Sequence, residues 1–169
     1  TIRASKVIDK LSAYVRPRRP EAARAELNEV ITEALEMVLD RVASDAIKVQ
    51  TALTQAPTIV LGDRGQLHQV FVNLVLNALQ AMPDGGTVTI GTEAQPSGDS
   101  TRFPLGMVVA PVSATGEGIP PDHVRKIFDP FFSTRSQGSG LGLSITQGIV
   151  EAHKGVISVD SGVGVGTTV

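Results

Sequence analysis

The 169-residue chain contains no cysteine, which removes disulfides, thiolate nucleophiles and cysteine-built zinc or iron–sulfur sites, and suits a reducing compartment. No apolar run approaches the ~18 residues of a membrane span, and no basic-then-apolar signal pattern opens the chain. Fifteen Lys and Arg stand against 17 Asp and Glu, a net charge of −2. That balance lacks the broad positive field that nucleic-acid binding or adsorption to a membrane surface would use. Nor is apolar material scarce: 41% hydrophobic and 19% charged is the composition of a folded domain and not of a disordered chain. The length fits one domain with a short appendage. The expected location is the cytosol, as itself or as the cytosolic part of something longer. A first residue other than Met and a last residue inside an apolar-alternating run are expected of an excised fragment.

Along the chain, Ala4, Ile8, Leu11 and Val15 recur at steps of four, three and four. This is the spacing of a helical seam, which packs on a second helix or on its own domain. Arg16-Pro17-Arg18-Arg19-Pro20 then interrupts it, because two prolines within four residues cannot continue a helix. Its arginines read as a solvated linker. Residues 1–20 are therefore expected to be an appendage and 21–169 the domain. Leu27, Val30, Ile31, Ala34, Leu35, Val38 and Leu39 form a helical stripe. Strands are expected over Ala46–Leu53 and Thr58–Leu61, and a helix capped by Asp63 over Asp63–Met82. Further strands are expected over Thr87–Thr92, Leu105–Ser113 and Gly155–Asp160, with a last one after Gly162–Gly166. Pro111 is unusual inside such a strand because it removes a ladder donor. Residues 114–140 read as a long glycine- and proline-bearing connection with one helical turn at Asp122–Phe128; loops of this length are typically lids or binding loops. A helix over Leu141–His153 is expected to bury Leu141, Ile145, Ile149 and Ala152.

Three clusters carry chemistry. On the 63–82 helix, Asn73 and Asn77 lie four apart and share a face, with Gln66 and Gln80 on the same flank. No Asp, Glu, Lys or Arg falls between Gln66 and Met82. Amides at a core margin satisfy backbone groups, or their oxygens bind a hard cation while their NH2 groups meet phosphate. The second cluster is Gly138-Ser139-Gly140-Leu141-Gly142-Leu143 at a helix start, where free amides and the helix dipole attract phosphate. It is either a phosphate-binding turn or a flexible hinge. The third is Thr115-Gly116-Glu117-Gly118-Ile119-Pro120, followed by Phe128, Phe131, Phe132 and Arg135. Three of the chain's six aromatics fall here, as anchors of the loop or as the hinge of a lid whose Arg135 reaches a phosphate.

In this order the motifs resemble those of the sensor histidine kinases, within the gyrase, Hsp90, histidine kinase and MutL superfamily. Leu67–Ala78 is similar to the asparagine box and Thr115–Pro120 to the first glycine box. Phe128–Phe132 is similar to the phenylalanine box, Gly138–Leu143 to the second glycine box and Gly164–Thr167 to the third. The resemblance implies the catalytic, ATP-binding domain: an α+β, two-layer sandwich with a mixed, largely antiparallel sheet covered by helices on one face. It implies ATP and magnesium as cofactors, with Asn77 on the metal and Asn73 supporting the phosphates. Gly116 and Gly118 would border the adenine pocket, Gly138, Ser139, Gly140, Leu141, Gly142 and Leu143 would wrap the phosphates, and Thr167 would help bind adenine. Gln80, Ala114, Ile119, Phe132 and Arg135 complete the implied nucleotide set. The implied partners are a dimerisation and phosphoacceptor domain, whose helix the N-terminal seam resembles, and through it a response regulator, with the full-length protein a homodimer.

Asn73 also bears on the chemistry. Hydrolysing members of the superfamily have a general-base Glu four residues before the magnesium asparagine; Asn73 cannot accept a proton at neutral pH, so phosphoryl transfer to histidine is expected rather than hydrolysis. None of His68, His123 and His153 begins a phosphoacceptor motif. The family's adenine-binding Asp is replaced by Ala114, which leaves two expectations: a kinase domain with a weakened pocket, or a pseudokinase that keeps the fold as an interaction domain.

Overall fold

The computed structural model describes residues 23–40, 46–96, 106–135 and 138–169. The expected N-terminal helix and its Arg-Pro linker lie outside these residues, as does most of the loop around residue 100.

A short strand, β1 (Ala23–Glu26), runs directly into α1 (Leu27–Leu39), whose Leu27, Val30, Ile31, Ala34, Leu35 and Val38 are buried as their spacing requires. Then come β2 (Ile47–Ala52), β3 (Ile59–Gly62), α2 (Arg64–Gln80) and β4 (Gly86–Gly91). The Asp63 side chain caps α2 by accepting from the Gln66 amide. After β5 (Glu93–Gln95) the chain returns through β6 (Met107–Val109) and β7 (Val112–Ala114). A single turn, α3 (Pro121–Val124), precedes α4 (Gly142–Ala152), and the hairpin of β8 (Asp160–Gly162) and β9 (Gly166–Thr168) closes the order.

The main sheet has the order β2-β4-β7-β9-β8, parallel between β2 and β4 and antiparallel elsewhere. Val88, Ile90, Val112 and Ala114 point from it into one core with α1 and α2. The intervening Thr87, Thr89 and Ser113, on the opposite face, stay half-buried. The α+β sandwich expected from the motifs is therefore observed, with helices gathered on one face. Exposed Arg64 ties α2 to α1 through Glu33 at 2.8 Å and Glu29 at 3.3 Å. The hydrogen bond to Glu33 chiefly holds its pKa above the usual arginine value, although an exposed pair of this kind adds little stability.

Three sequence expectations are corrected. The strand over Leu105–Ser113 is two strands: Ala110 and Pro111 separate β6 from β7, because Pro111 has no N–H for the ladder, and only its carbonyl is used, by the Gly91 amide. Of Gly155–Asp160 only Asp160 is paired, since the register Asp160↔Thr168 leaves 155–159 beyond the last rung. In α4, Leu141 is buried ahead of the first turn, but the buried helical residues are Ser144 and Thr146; Ile145 and Ile149 are half-buried and Ala152 is exposed. The sequence also gave no sign of β1, which is too short to show alternation.

Candidate functional site

The site is organised by α2. Asn73 and Asn77, one turn apart, both lie at the half-buried margin of its apolar stripe. The Asn73 amide donates to the Gly142 carbonyl and Thr146 Oγ1, two long contacts of 3.4 Å each. The asparagine is thus divided between two acceptors on α4. Asn77 has no side-chain hydrogen bond among the described residues. One turn further on, Gln80 Oε1 accepts from Arg135 Nη1 at 2.7 Å, so the loop after α3 is tied to the same flank.

The Gly116–Ile119 segment is clasped between the end of α2 and the β8–β9 hairpin. Glu117 donates its amide to Ala81, its carbonyl receives the Gly164 amide at 2.8 Å, and the Ile119 amide donates to Ser161 Oγ at 2.8 Å. Both glycines are required by space. A Cβ on Gly116 would lie 2.3 Å from the Ala81 carbonyl oxygen, and one on Gly118, at φ +74°, would lie 2.0 Å from that of Gly162.

The base of the next loop closes where the Phe131 amide donates to the Gly140 carbonyl at 2.8 Å. Gly140, at φ +65°, packs its α-carbon against the Phe131 backbone. Gly138 and Ser139 are exposed, Gly142 and Leu143 half-buried at the α4 N-terminus, and Leu141 is buried. That N-terminus has no side-chain cap, so its first amides have no partner within the helix, and Asn73 meets it at the Gly142 carbonyl. The expected aromatic anchors are only partly so. Ile127 is the buried residue of this segment; Phe128 and Phe132 are half-buried and Phe131 is exposed with a left-handed φ of 69°. Phe132 meets His123 edge-on, with centroids 5.5 Å apart.

Ala114 and Thr167 face each other across β7 and β9. Ala114 is buried, and the Thr167 hydroxyl is engaged with Ser161 at 2.7 Å. A depression of about 410 Å³ touches both residues but is lined mainly by Thr87, Thr89, Ser113, Asp160 and Thr168 of the helix-free face. It is not the space beside the asparagines. Among the described residues no group of three or more His, Asp or Glu side chains is placed to hold a metal, and no helix is long and apolar enough to cross a membrane.

Sequence reasoning set His153 aside, yet the structure places it against this arrangement. Its Nε2 accepts from the Asp63 amide at 2.9 Å, and its Nδ1 lies 2.7 Å from the Ile149 carbonyl. A separation of ninety residues leaves no local signal for that contact.

Residues 62–169 match the family model for histidine kinase-, DNA gyrase B- and HSP90-like ATPases. The chain is 39% identical to the sensor kinase CckA of Brucella abortus over 98% of its own length and 18% of that protein's. The sensor histidine kinase ZraS of Klebsiella oxytoca is 36% identical over 97% of this chain and 34% of that protein. The chain thus spans about a fifth to a third of the length of these curated relatives. Among solved structures, the catalytic domain of the histidine kinase ThkA superposes with TM-score 0.73 at 32% identity, covering 88% of this chain and 91% of that one.

Proposed function

Because this chain belongs to the family of histidine kinase-, DNA gyrase B- and HSP90-like ATPases, we propose that it is the ATP-binding catalytic domain of a cytoplasmic sensor histidine kinase. The γ-phosphoryl group of ATP is transferred to a histidine on a dimerisation domain, from which a response regulator receives it; the whole protein works as a homodimer. ThkA, whose catalytic domain this chain resembles, has been crystallised with a response regulator protein.

The observation that carries the reading is Asn77. Its half-buried amide has no side-chain partner among the described residues, and it lies one turn from Asn73, which reaches the uncapped α4 N-terminus. One amide oxygen, its shell completed by phosphate oxygens and water, suits magnesium, which is commonly held by few protein ligands. The residues present therefore fit the metal–nucleotide pair. Magnesium, when bound with ATP, neutralises charge on the phosphates. Asn77 would hold the metal through its amide oxygen, and Asn73, bonded to α4, would support the phosphates by keeping the α4 N-terminus beside them. Arg135, released from Gln80, supplies a positive charge to the same groups. The amides of Gly138–Leu143 receive phosphate oxygens at the helix end. Asn73 has no basicity with which to activate water, so the phosphoryl group is kept for a histidine.

A second reading, a pseudokinase that binds nucleotide poorly, is favoured by Ala114. Its buried methyl offers no polar group, and the hydroxyl of Thr167, its partner on β9, is engaged with Ser161. Calorimetric titration with magnesium-ATP separates the two. A carboxylate accepting from the adenine amino group is worth ~1.5–3 kcal/mol. Ala114→Asp is therefore expected to tighten binding roughly ten- to hundredfold and to sharpen selection of ATP over GTP. A chain that binds neither before nor after the substitution is a pseudokinase.

A further inference from the structure

We infer that His153 is a positioning residue for the ATP site: it fixes α4 against α2, and so sets where the glycine-rich α4 N-terminus stands relative to Asn73 and Asn77. The inference rests on the ATP-binding reading for its functional consequence, but the coupling it describes is a property of the chain alone.

At the N-terminus of a helix, the N–H of the N-cap residue has no partner within its own helix and in many helices is satisfied by a side chain three residues on. Here the partner is the imidazole at the end of α4, with the Asp63 amide donating to His153 Nε2 at 2.9 Å. An amide N–H can only donate, so Nε2 carries no proton. Nδ1 therefore holds it and donates to the Ile149 carbonyl at 2.7 Å, in the last turn of α4. Both ring nitrogens are used, one on each helix, and the ring orientation is fixed. Gly62 provides the seat: a Cβ there would stand 2.3 Å from the ring Cδ2 and 2.7 Å from Nε2.

The second hydrogen-bonded link between the two helices is Asn73, donating to Gly142 and Thr146. From Asp63 to Asn73 is ten residues, about 15 Å of α2; from His153 back to Thr146 and Gly142 is between about 10 and 16 Å of α4. The helices therefore run antiparallel with two pins at matched separations, one at the α2 N-terminus and one beside the nucleotide face. Leu143, Ile149 and Val150 also pack α4 against the core, but apolar contact is non-directional; the two pins are the directional contacts that select one register of α4 along α2. Interactions that orient binding groups from behind carry tenfold or larger effects on affinity, because small displacements spoil several contacts at once.

The test compares the 169-residue chain with His153→Gln, whose amide oxygen can still accept from Asp63, and His153→Leu, which fills space without an acceptor. Magnesium-ATP affinity and amide hydrogen exchange are both measured. His153→Leu is expected to weaken ATP binding about tenfold or more and to quicken exchange at Asp63 together with Ile145 and Thr146. His153→Gln is expected to stay within about twofold of the parent in affinity. If His153→Leu does not fold, Gly62→Ala, which expels the ring, takes its place with the same expectations. Unchanged affinity in His153→Leu, an equal loss in His153→Gln, or exchange that quickens at Asp63 alone would overturn the inference. A parent chain that binds no ATP would end the ATP-binding reading, while joint or separate exchange at the two helices would still decide whether His153 sets their register.

Discussion

Asn73 and Asn77 are the same residue one turn apart, and the structure gives them different work. Asn73 shares its amide between two acceptors on α4, whereas Asn77 has none among the described residues. Removing Asn77 therefore breaks no side-chain bond described here. Asn77→Ala is expected to change unfolding free energy by no more than ~0.5 kcal/mol while abolishing the magnesium-dependent part of ATP binding, read by titrations with and without the metal. A collapse of thermal stability would make the amide structural. A second residue behaves in the opposite way. Thr92, buried beside β4, donates to Asn28 Oδ1 at 2.7 Å and accepts from the Thr54 amide at 3.0 Å, while Asn28 also holds the Thr54 carbonyl. This network ties the start of α1 to the β2–β3 connection, away from the asparagines. Thr92→Val is expected to cost ~1–3 kcal/mol by urea unfolding, since it removes hydrogen bonds worth ~0.5–1.5 kcal/mol each from two part-buried groups, and to leave ATP affinity within about twofold. The spacing of the asparagines could be read from sequence because helical period puts i and i+4 on one face. Thr92 could not, because nothing local distinguishes a threonine at a strand end that will meet an asparagine 64 residues away.

Among the elements, α1 and α2 were legible nearly to the residue, since a 3.6-residue stripe and a capping Asp are both written locally. The strands were less so. Pro111 pointed to an irregularity, but that it would divide one strand into two depended on its partner, the Gly91 amide. The α4 face was misjudged because two of its most buried side chains, Ser144 and Thr146, are polar: Ser144 bonds the Leu141 carbonyl and Thr146 meets Asn73, so each is satisfied where an apolar residue was expected. The loop between β7 and α4 divides in the same way. Its first part is tied down, with the Glu117 amide on Ala81 and that of Ile119 on Ser161. Its later part, 133–135 and 138–139, is exposed, and Arg135 reaches α2 only through Gln80. Hydrogen exchange is therefore expected to be slow at Glu117 and Ile119 and fast across that later part in the free chain. Saturating magnesium-ATP should slow the later part; equal protection without nucleotide would mean that this segment is no lid.

For the whole molecule, the five ordered motifs made the fold legible because their order along the chain is that of a family whose model matches residues 62–169. Gly116 against Ala81 and Gly118 against Gly162 show that one of them, Thr115–Pro120, also has packing reasons. The domain boundary near residue 20 was an expectation from two prolines, and those residues lie outside the described structure. All three histidines have surroundings in the structure: His68 is half-buried on α2, His123 lies against Phe132, and His153 has both ring nitrogens engaged. The chain alone is accordingly expected to incorporate no acid-labile phosphate from radiolabelled ATP. Label on any of the three would overturn the assignment of the phosphoacceptor to another domain.

The one parallel pair in the sheet, β2 beside β4, has a consequence for how the chain reaches this state. Parallel neighbours cannot be joined by a tight turn, and the crossover that joins these two consists of β3 and α2. The helix that carries both asparagines is therefore also the connector on which closure of the sheet depends. Until α2 has condensed onto the strands, the rungs between β2 and β4 are contacts of high sequence separation, whose loop entropy must be met before they contribute. Formation of the asparagine-bearing helix and completion of the sheet are therefore coupled, because burying the apolar stripe of α2 against the strands offsets the loop entropy of the β2–β4 pairing.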